Sequence, residues 1–243
     1  MASTSEVGHA KNVANLQKLT EQITAYTLYN PPVQNLEITN LQALHTAATA
    51  KLSGVEESRI ANKAAIYDRQ VAFENLKPLS TRIINFLEIL DLPAGMLDQA
   101  KALNRTIQGY TNKTEKPAAL TETGEPKDSI STSRQSYTQQ AESFGNLVSL
   151  LGTIPSYTPN EDELKLTSLT AYHQSLVSAT QPVDQTEASL KVKLIERDDV
   201  LYKEGTGIYD VAGKVKKYVK SIYGADSPEY ANVGSIKFTD PTK

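Results

Sequence analysis

The feature of this sequence that most constrains its fold is an internal repeat at an offset of 128 residues. Between positions 29 and 69 this offset gives ten identities without a gap, where chance would give about two or three. The identical pairs are Tyr29 and Tyr157, Pro31 and Pro159, Leu36 and Leu164, Thr39 and Thr167, Leu41 and Leu169, Ala43 and Ala171, His45 and His173, Val55 and Val183, Lys63 and Lys191, and Arg69 and Arg197. Farther along, an offset of 135 pairs Asp91 with Asp226 and Pro93 with Pro228. The added seven residues make about two helical turns, so the buried face would be preserved.

Both copies have the periodicity of helices. Apolar residues recur at intervals of three and four, whereas sustained strand-like alternation is hard to find. Helices are predicted at 11–28, 33–76, 79–90, 93–109, 137–151, 160–203 and 208–223, with proline or glycine between them. The run in each copy that exceeds forty residues would span over ~60 Å. The predicted fold class is all-α: an elongated helical bundle, with coiled-coil character, built from two tandem repeats that each contain one very long helix.

The predicted domains are a first repeat at 1–110, a polar linker at 111–133 and a second repeat at 134–243. The linker is rich in Thr, Ser, Glu, Lys and Pro, as solvated linkers are. Two arrangements remain open: the repeats pair around a pseudo-twofold axis, or they form separate bundles joined by the linker. Ser227-Pro228-Glu229 is typical of a helix start, and we expect the segment Ser235-Ile236-Lys237-Phe238-Thr239 to be a free, frayed tail rather than a docked one.

Composition and charge exclude several classes of protein. A net charge of −3 and a pI near 5.7 argue against nucleic-acid binding, which needs a basic excess. The absence of cysteine excludes disulfides, thiolate nucleophiles and cysteine-held metals. The first residues lack a secretory signal, and the most apolar stretch, 83–90, is short and carries Glu88, so no membrane span is predicted. We expect a cytoplasmic protein.

The duplicated charged residues are the first candidate site residues. His45 and His173 could ligate a metal, but neither has a second ligand at helical spacing, so both are interpreted as helix-packing residues. Arg69 and Arg197 stand beside Asp68 and Glu196 and could clamp an anion. Ion pairs within or between the long helices explain them better, because a duplicated bundle contact is more expected than a duplicated catalytic residue.

A lysine-rich stretch, Lys214-Val215-Lys216-Lys217-Tyr218-Val219-Lys220, is the densest basic segment and could contact phosphates or anionic lipid. A solvated lysine face is the simpler interpretation, and Gly205-Thr206-Gly207 is interpreted as a helix break and not a phosphate loop. With three histidines and no nucleophile elbow, no Ser-His-acid set can be assigned. We therefore predict a protein that is not an enzyme, with no catalytic, cofactor-binding or metal-binding residue and no cofactor.

Several segments of the second half resemble a family of uncharacterised helical proteins of Bacteroidota-type bacteria. The resemblance rests on 160–164, 201–203, 206–210, 215–220 and 227–230, the last being Ser227-Pro228-Glu229-Tyr230. It implies a bacterial source and a helical fold. No activity attaches to that family, so the resemblance implies no functional residue.

The function predicted from these observations is a non-enzymatic structural or interaction protein that self-assembles through long amphipathic helices. Internal symmetry offers two like surfaces, which favours oligomers or filaments of the chain with itself. The alternative is a membrane-active or lipid-binding helical protein, suggested by the long amphipathic helices, the apolar stretch at 83–90 and the lysine-rich stretch. Membrane contact is the less favoured partner, and nucleic acid is not expected.

Overall fold

The computed structural model describes residues 4–109 and 136–240, with side chains from residue 8. The helices are α1 (Thr4–Thr24), α2 (Ile38–Phe73), α3 (Leu76–Glu88), α4 (Ala94–Gln108), α5 (Tyr137–Leu151), α6 (Leu166–Tyr202), α7 (Ile208–Tyr223) and α8 (Pro228–Ser235). Short 3-10 turns at Gln34–Leu36 and Asp162–Leu164 precede α2 and α6. No strand occurs in these two ranges, and the predicted all-α class is confirmed. The predicted linker at 111–133 lies outside the described residues.

The observed helix limits follow the capping residues. Helix α5 begins after Ser136, whose hydroxyl accepts from the Gln139 amide, and α8 begins after Ser227, whose hydroxyl accepts from the Tyr230 amide. Helix α3 starts two residues before Pro78, so the chain breaks at Glu74 and Asn75, ahead of the proline. Proline is tolerated there because the first turn of a helix has no intrahelical partners for its amides.

The chain divides into two compact units, and each unit takes helices from both predicted repeats. The terminal unit is Met1–Asn62 with Thr186–Lys243, and the central unit is Lys63–Gln185. Helices α2 and α6 each contribute one part to each unit. The alternative in which each repeat forms its own bundle is therefore not the observed arrangement. The predicted limits at 110 and 134 stay a prediction about the sequence repeat, and the compact units are bounded elsewhere, between 62 and 63 and between 185 and 186.

Each unit has its own apolar core. In the terminal unit α1 packs against α7 and α8, and Leu16, Leu19 and Ile23 of α1 are fully buried with Val215 and Val219 of α7. In the central unit α4 packs against α3 and α5 around Phe144, Leu147, Leu151, Ile83 and Leu87. Full burial of side chains of this size contributes about 1.5–3 kcal/mol each.

The buried positions repeat along the chain. The pairs that are buried at an offset of 128 include Val13 and Ala141, Leu16 and Phe144, Leu19 and Leu147, Ile23 and Leu151, Tyr29 and Tyr157, Leu36 and Leu164, Leu41 and Leu169, Ala48 and Leu176, Val55 and Val183, and Phe73 and Leu201. Between α3 and α7 the offset is 132, with Leu76 and Ile208, Leu79 and Val211, Ser80 and Ala212, Ile83 and Val215, and Leu87 and Val219 all buried. The four added residues enter at the break before α7.

Glycine shapes that break. Gly205 has a φ of 79°, in the left-handed region that side chains disfavour. A Cβ placed at Gly207 would lie 2.6 Å from the backbone nitrogen of Lys203, so no larger residue fits there without moving the chain. The predicted helix break at Gly205-Thr206-Gly207 is what the structure has between α6 and α7.

The expectation of a frayed tail at 235–239 is wrong. The Asn12 side chain of α1 donates to the Thr239 carbonyl at 2.7 Å and accepts from the Thr239 amide at 3.0 Å. The Asn15 amide donates to the Lys237 carbonyl at 2.6 Å, and Ile236 is buried in the core of the terminal unit. An amide side chain can satisfy an extended backbone on both its donor and its acceptor, which is why asparagine serves here.

Candidate functional site

The duplicated histidines occupy equivalent positions on α2 and α6, and each is half buried. His45 lines a shallow groove of about 460 Å³ with Gln17, Thr20 and Glu21 of α1. His173 lies against α5, where a Cβ placed at Gly145 would be 2.6 Å from its Nε2 atom. In the ranges 4–109 and 136–240 no group of three or more His, Cys, Asp or Glu side chains is placed to hold a metal ion.

The duplicated arginines are packing residues in different environments. The guanidinium carbon of Arg69 lies 4.2 Å from the ring centroid of Tyr137, a cation–π contact within the central unit. Arg197 is only 5% exposed and donates from Nε and Nη2 to Asp198 at 2.9 and 2.8 Å. An arginine this deeply buried is closed to an incoming anion, whereas Arg69 is only partly buried.

The ion pair between the long helices is made by a neighbour of Arg197. Lys51 of α2 donates to the Glu196 carboxylate at 2.9 Å, and Lys193 donates to the same oxygen at 3.1 Å. These two hydrogen bonds lower the pKa of Glu196 from its usual value. The pair is half exposed, so its stabilisation is small, as for most surface pairs.

Each repeat contains one buried tyrosine that holds the turn before its long helix. Tyr29 donates to the Leu36 carbonyl and Tyr157 donates to the Leu164 carbonyl, both at 2.8 Å. Burial raises the pKa of Tyr157 to about 12, with Glu161 adding to the shift. Burial and Tyr218 raise the pKa of Tyr29 in the same direction.

The lysine-rich stretch forms one wall of a groove that sequence reasoning did not find. Helix α7 and the docked tail enclose about 450 Å³, and we call this space the basic groove. Its chemistry comes from residues on both segments: Lys214, Lys216, Lys217, Lys237, Tyr209 and Phe238. The Lys216 ammonium donates to the Ile236 carbonyl and lies 5.1 Å from the Phe238 ring centroid. The groove was missed because a frayed tail could not supply Lys237 and Phe238.

Large apolar side chains are exposed along the long helices. We call the exposed residues Ala64, Tyr67 and Val71 of helix α2 the α2 stripe. We call the exposed residues Ala188, Val192 and Ile195 of helix α6 the α6 stripe. Tyr67 is 66% exposed and Ile195 is 63% exposed, and these two residues are equivalent at the offset of 128. Spacings of three and four residues place each set on one helix face. The apolar periodicity of the sequence could have identified both stripes. It could not show that their side chains stay exposed in the folded chain.

The apolar stretch at 83–90 is taken up by packing. Ile83, Ile84 and Leu87 of α3 are buried in the core of the central unit, although Ile89 is 75% exposed. None of the described helices carries an apolar segment long enough to cross a bilayer.

No protein family, curated protein or solved structure matches this chain. The resemblance to uncharacterised Bacteroidota-type proteins therefore stays a prediction.

Proposed function

We propose that this chain is a non-enzymatic structural or interaction protein that self-assembles, in the cytoplasm, through the α2 and α6 stripes. The observation that carries the proposal is the exposure of these stripes: Tyr67, Val71, Val192 and Ile195 are each 49–66% exposed. Exposed apolar residues standing singly are common, but an aligned set with heptad-like spacing is typical of an association surface.

The proposed partner is a second copy of this chain because the surface is itself duplicated. Ala64 and Val192, and Tyr67 and Ile195, are equivalent at the offset of 128. Two related surfaces on one chain permit pairing of like stripes, which closes a dimer, or pairing of unlike stripes, which propagates into a filament.

The tandem repeat is part of the same proposal. The ten sequence identities, the buried positions at the offset of 128 and the two tyrosine bonds support two copies of one helical unit with a very long helix in each. Duplication of a surface follows directly from duplication of the unit that carries it.

Sedimentation velocity over a wide concentration range tests the proposal. The wild-type chain should form dimers or larger species, and Tyr67→Gln with Ile195→Gln should shift the distribution to the monomer. Both side chains are exposed, so circular dichroism should show unchanged helix content.

Ile89→Gln is the matched control, because Ile89 is also an exposed isoleucine but lies outside both stripes. It should leave the association constant unchanged. A wild-type chain that stays monomeric at millimolar concentration, or an equal effect of the control, would contradict self-assembly through the stripes.

The membrane alternative has lost one of its three supports. The apolar stretch at 83–90 is largely in the core of the central unit, while the long helices and the lysine-rich stretch remain.

A further inference from the structure

The basic groove presents more positive charge than its surroundings neutralise. Four lysines line it, together with one carboxylate, that of Asp210. Asp210 accepts from the Gly205 amide at 2.8 Å, and Lys214 donates to the Gly205 carbonyl at 2.8 Å. The four lysines and Asp210 together give the groove a net charge of about +3 at neutral pH.

Two of these lysines are held close enough to repel each other. Lys216 is fixed at the Ile236 carbonyl and over the Phe238 ring, and Lys237 follows Ile236 directly. Desolvation by burial lowers the pKa of Lys216, and the positive charge of Lys237 lowers it further. An anion placed between two ammonium groups would relieve this repulsion and complete their hydrogen bonding.

The shape of the groove leaves room for a ligand. Gly213 lies on the α7 face of the groove, and a Cβ placed there would meet nothing within 4 Å. Tyr209 and Phe238 add aromatic surface beside the ammonium groups. Cations beside aromatic rings suit a ligand that carries both phosphate and an apolar or planar part.

Helix packing does not need these lysines. At the offset of 132, Lys216 corresponds to the buried Ile84 and Lys217 to Asn85 in α3. The central unit packs its equivalent helix without a basic surface at these positions. Lys216 and Lys217 therefore mark a property of the terminal unit alone, whereas Lys214 corresponds to the basic Arg82.

We propose that the basic groove is a binding site for a phosphate-bearing ligand, held by Lys216, Lys217 and Lys237. The site is separate from the stripes proposed for self-assembly, so either proposal can fail without the other. Soluble phosphates and phospholipid headgroups share this chemistry, and the experiment distinguishes them.

Isothermal titration calorimetry of the full chain with sodium tripolyphosphate tests the soluble source. Sedimentation with phosphatidylcholine vesicles, with and without phosphatidic acid, tests the lipid source. Saturable binding in either assay should be weakened at least about tenfold by Lys217→Gln with Lys237→Gln, because each removes a charge-assisted hydrogen bond.

Lys18→Gln with Lys63→Gln is the control, since both lysines are exposed, lie outside the groove and change the net charge equally. The control should bind within about twofold of the wild type, and all variants should unfold at similar urea concentrations. Loss of binding in the groove variant alone supports the proposal, and the assay in which it occurs names the source. An equal loss in both variants, or no saturable binding in either assay, overturns it.

Discussion

At the scale of single residues, glycine and tyrosine decide where helices approach each other. Gly145 of α5 lies under the imidazole of His173, because any Cβ there would be 2.6 Å from Nε2. His173 thus packs over a position that has no side chain. The equivalent histidine, His45, lies beside Gln17, which occupies the position equivalent to Gly145. The identity of the histidines was visible in the sequence, and their different surroundings were not.

Gly145→Ala should be less favourable than a Gly→Ala change in an open part of a helix, because the His173 imidazole has to move: an overpacking cost of about 1–3 kcal/mol is set against the ~1 kcal/mol that alanine gains in a helix. Gly213→Ala is the matched helical control: nothing lies within 4 Å of the added methyl, so stability should rise by up to ~1 kcal/mol. Urea unfolding followed by circular dichroism measures both. The addition of His173→Ala to Gly145→Ala should recover much of the loss; if it does not, the contact is not the cause.

Tyr157→Phe should lower stability at neutral pH by about 1 kcal/mol, since the Leu164 carbonyl loses its donor. The pH dependence has a definite sign. The folded state holds the Tyr157 proton more tightly than its usual pKa of 10.0 would, so this contribution is complete below pH 10 and is lost as pH rises toward about 12. Urea unfolding between pH 9 and 12 should show a shallower fall for the variant than for the wild type. Parallel curves would contradict this assignment.

At the scale of helices, each of the two long helices, α2 and α6, contains a residue with low helix propensity at the same position of the alignment. Gly54 of α2 and Pro182 of α6 are equivalent at the offset of 128, and both disfavour a helix interior. Helix α6 nevertheless continues through Pro182 to Tyr202, because Val183, Arg197 and Leu201 are buried on its packed side. Tertiary packing overrides local preference in this helix.

Pro182→Ala should therefore stabilise the protein, by up to about 3 kcal/mol, as the missing backbone hydrogen bond is restored. Gly54→Ala should gain about 0.5–1 kcal/mol, since its methyl would meet only the Lys193 side chain at an ordinary 3.7 Å. Thermal unfolding compares the two. A melting temperature of Pro182→Ala that is equal to or lower than that of the wild type would show that packing depends on a distorted helix around Pro182.

Local signals predicted some helices well and others poorly. The limits 137–151 and 208–223 agree with α5 and α7, because Ser136, Gly152, Gly207 and Gly224 mark their ends. The long runs were predicted to start too early, since the 3-10 turns depend on bonds from Tyr29 and Tyr157 seven residues away. The docked tail depends on Asn12, 227 residues from Thr239, which no local pattern contains.

At the scale of the whole chain, each core is built from both halves of the sequence. The core of the terminal unit joins Leu16 and Leu19 of α1 to Val215 and Val219 of α7, and the central core joins Ile83 of α3 to helix α5. Neither half can bury its apolar faces in this way alone. The predicted sequence repeats and the compact units therefore have different boundaries in the chain.

Residues 1–109 and 136–243, produced separately, should each fail to form a stable monomer. Mixed together, they should form a one-to-one complex with native helix content, measured by light scattering and circular dichroism. Each fragment on its own should be unfolded or pair with itself. A stable monomer of either fragment would contradict the shared cores.

Because each compact unit draws helices from both halves of the chain, the covalent connection between the halves has a thermodynamic consequence. Two separate copies would have to meet by diffusion before the cores could form, whereas a tether between them raises their effective concentration to the order of millimolar. Formation of the two cores within one chain then becomes independent of protein concentration, whereas the proposed self-assembly does not. Cleavage of that tether would restore the dependence on concentration and leave every buried residue unchanged.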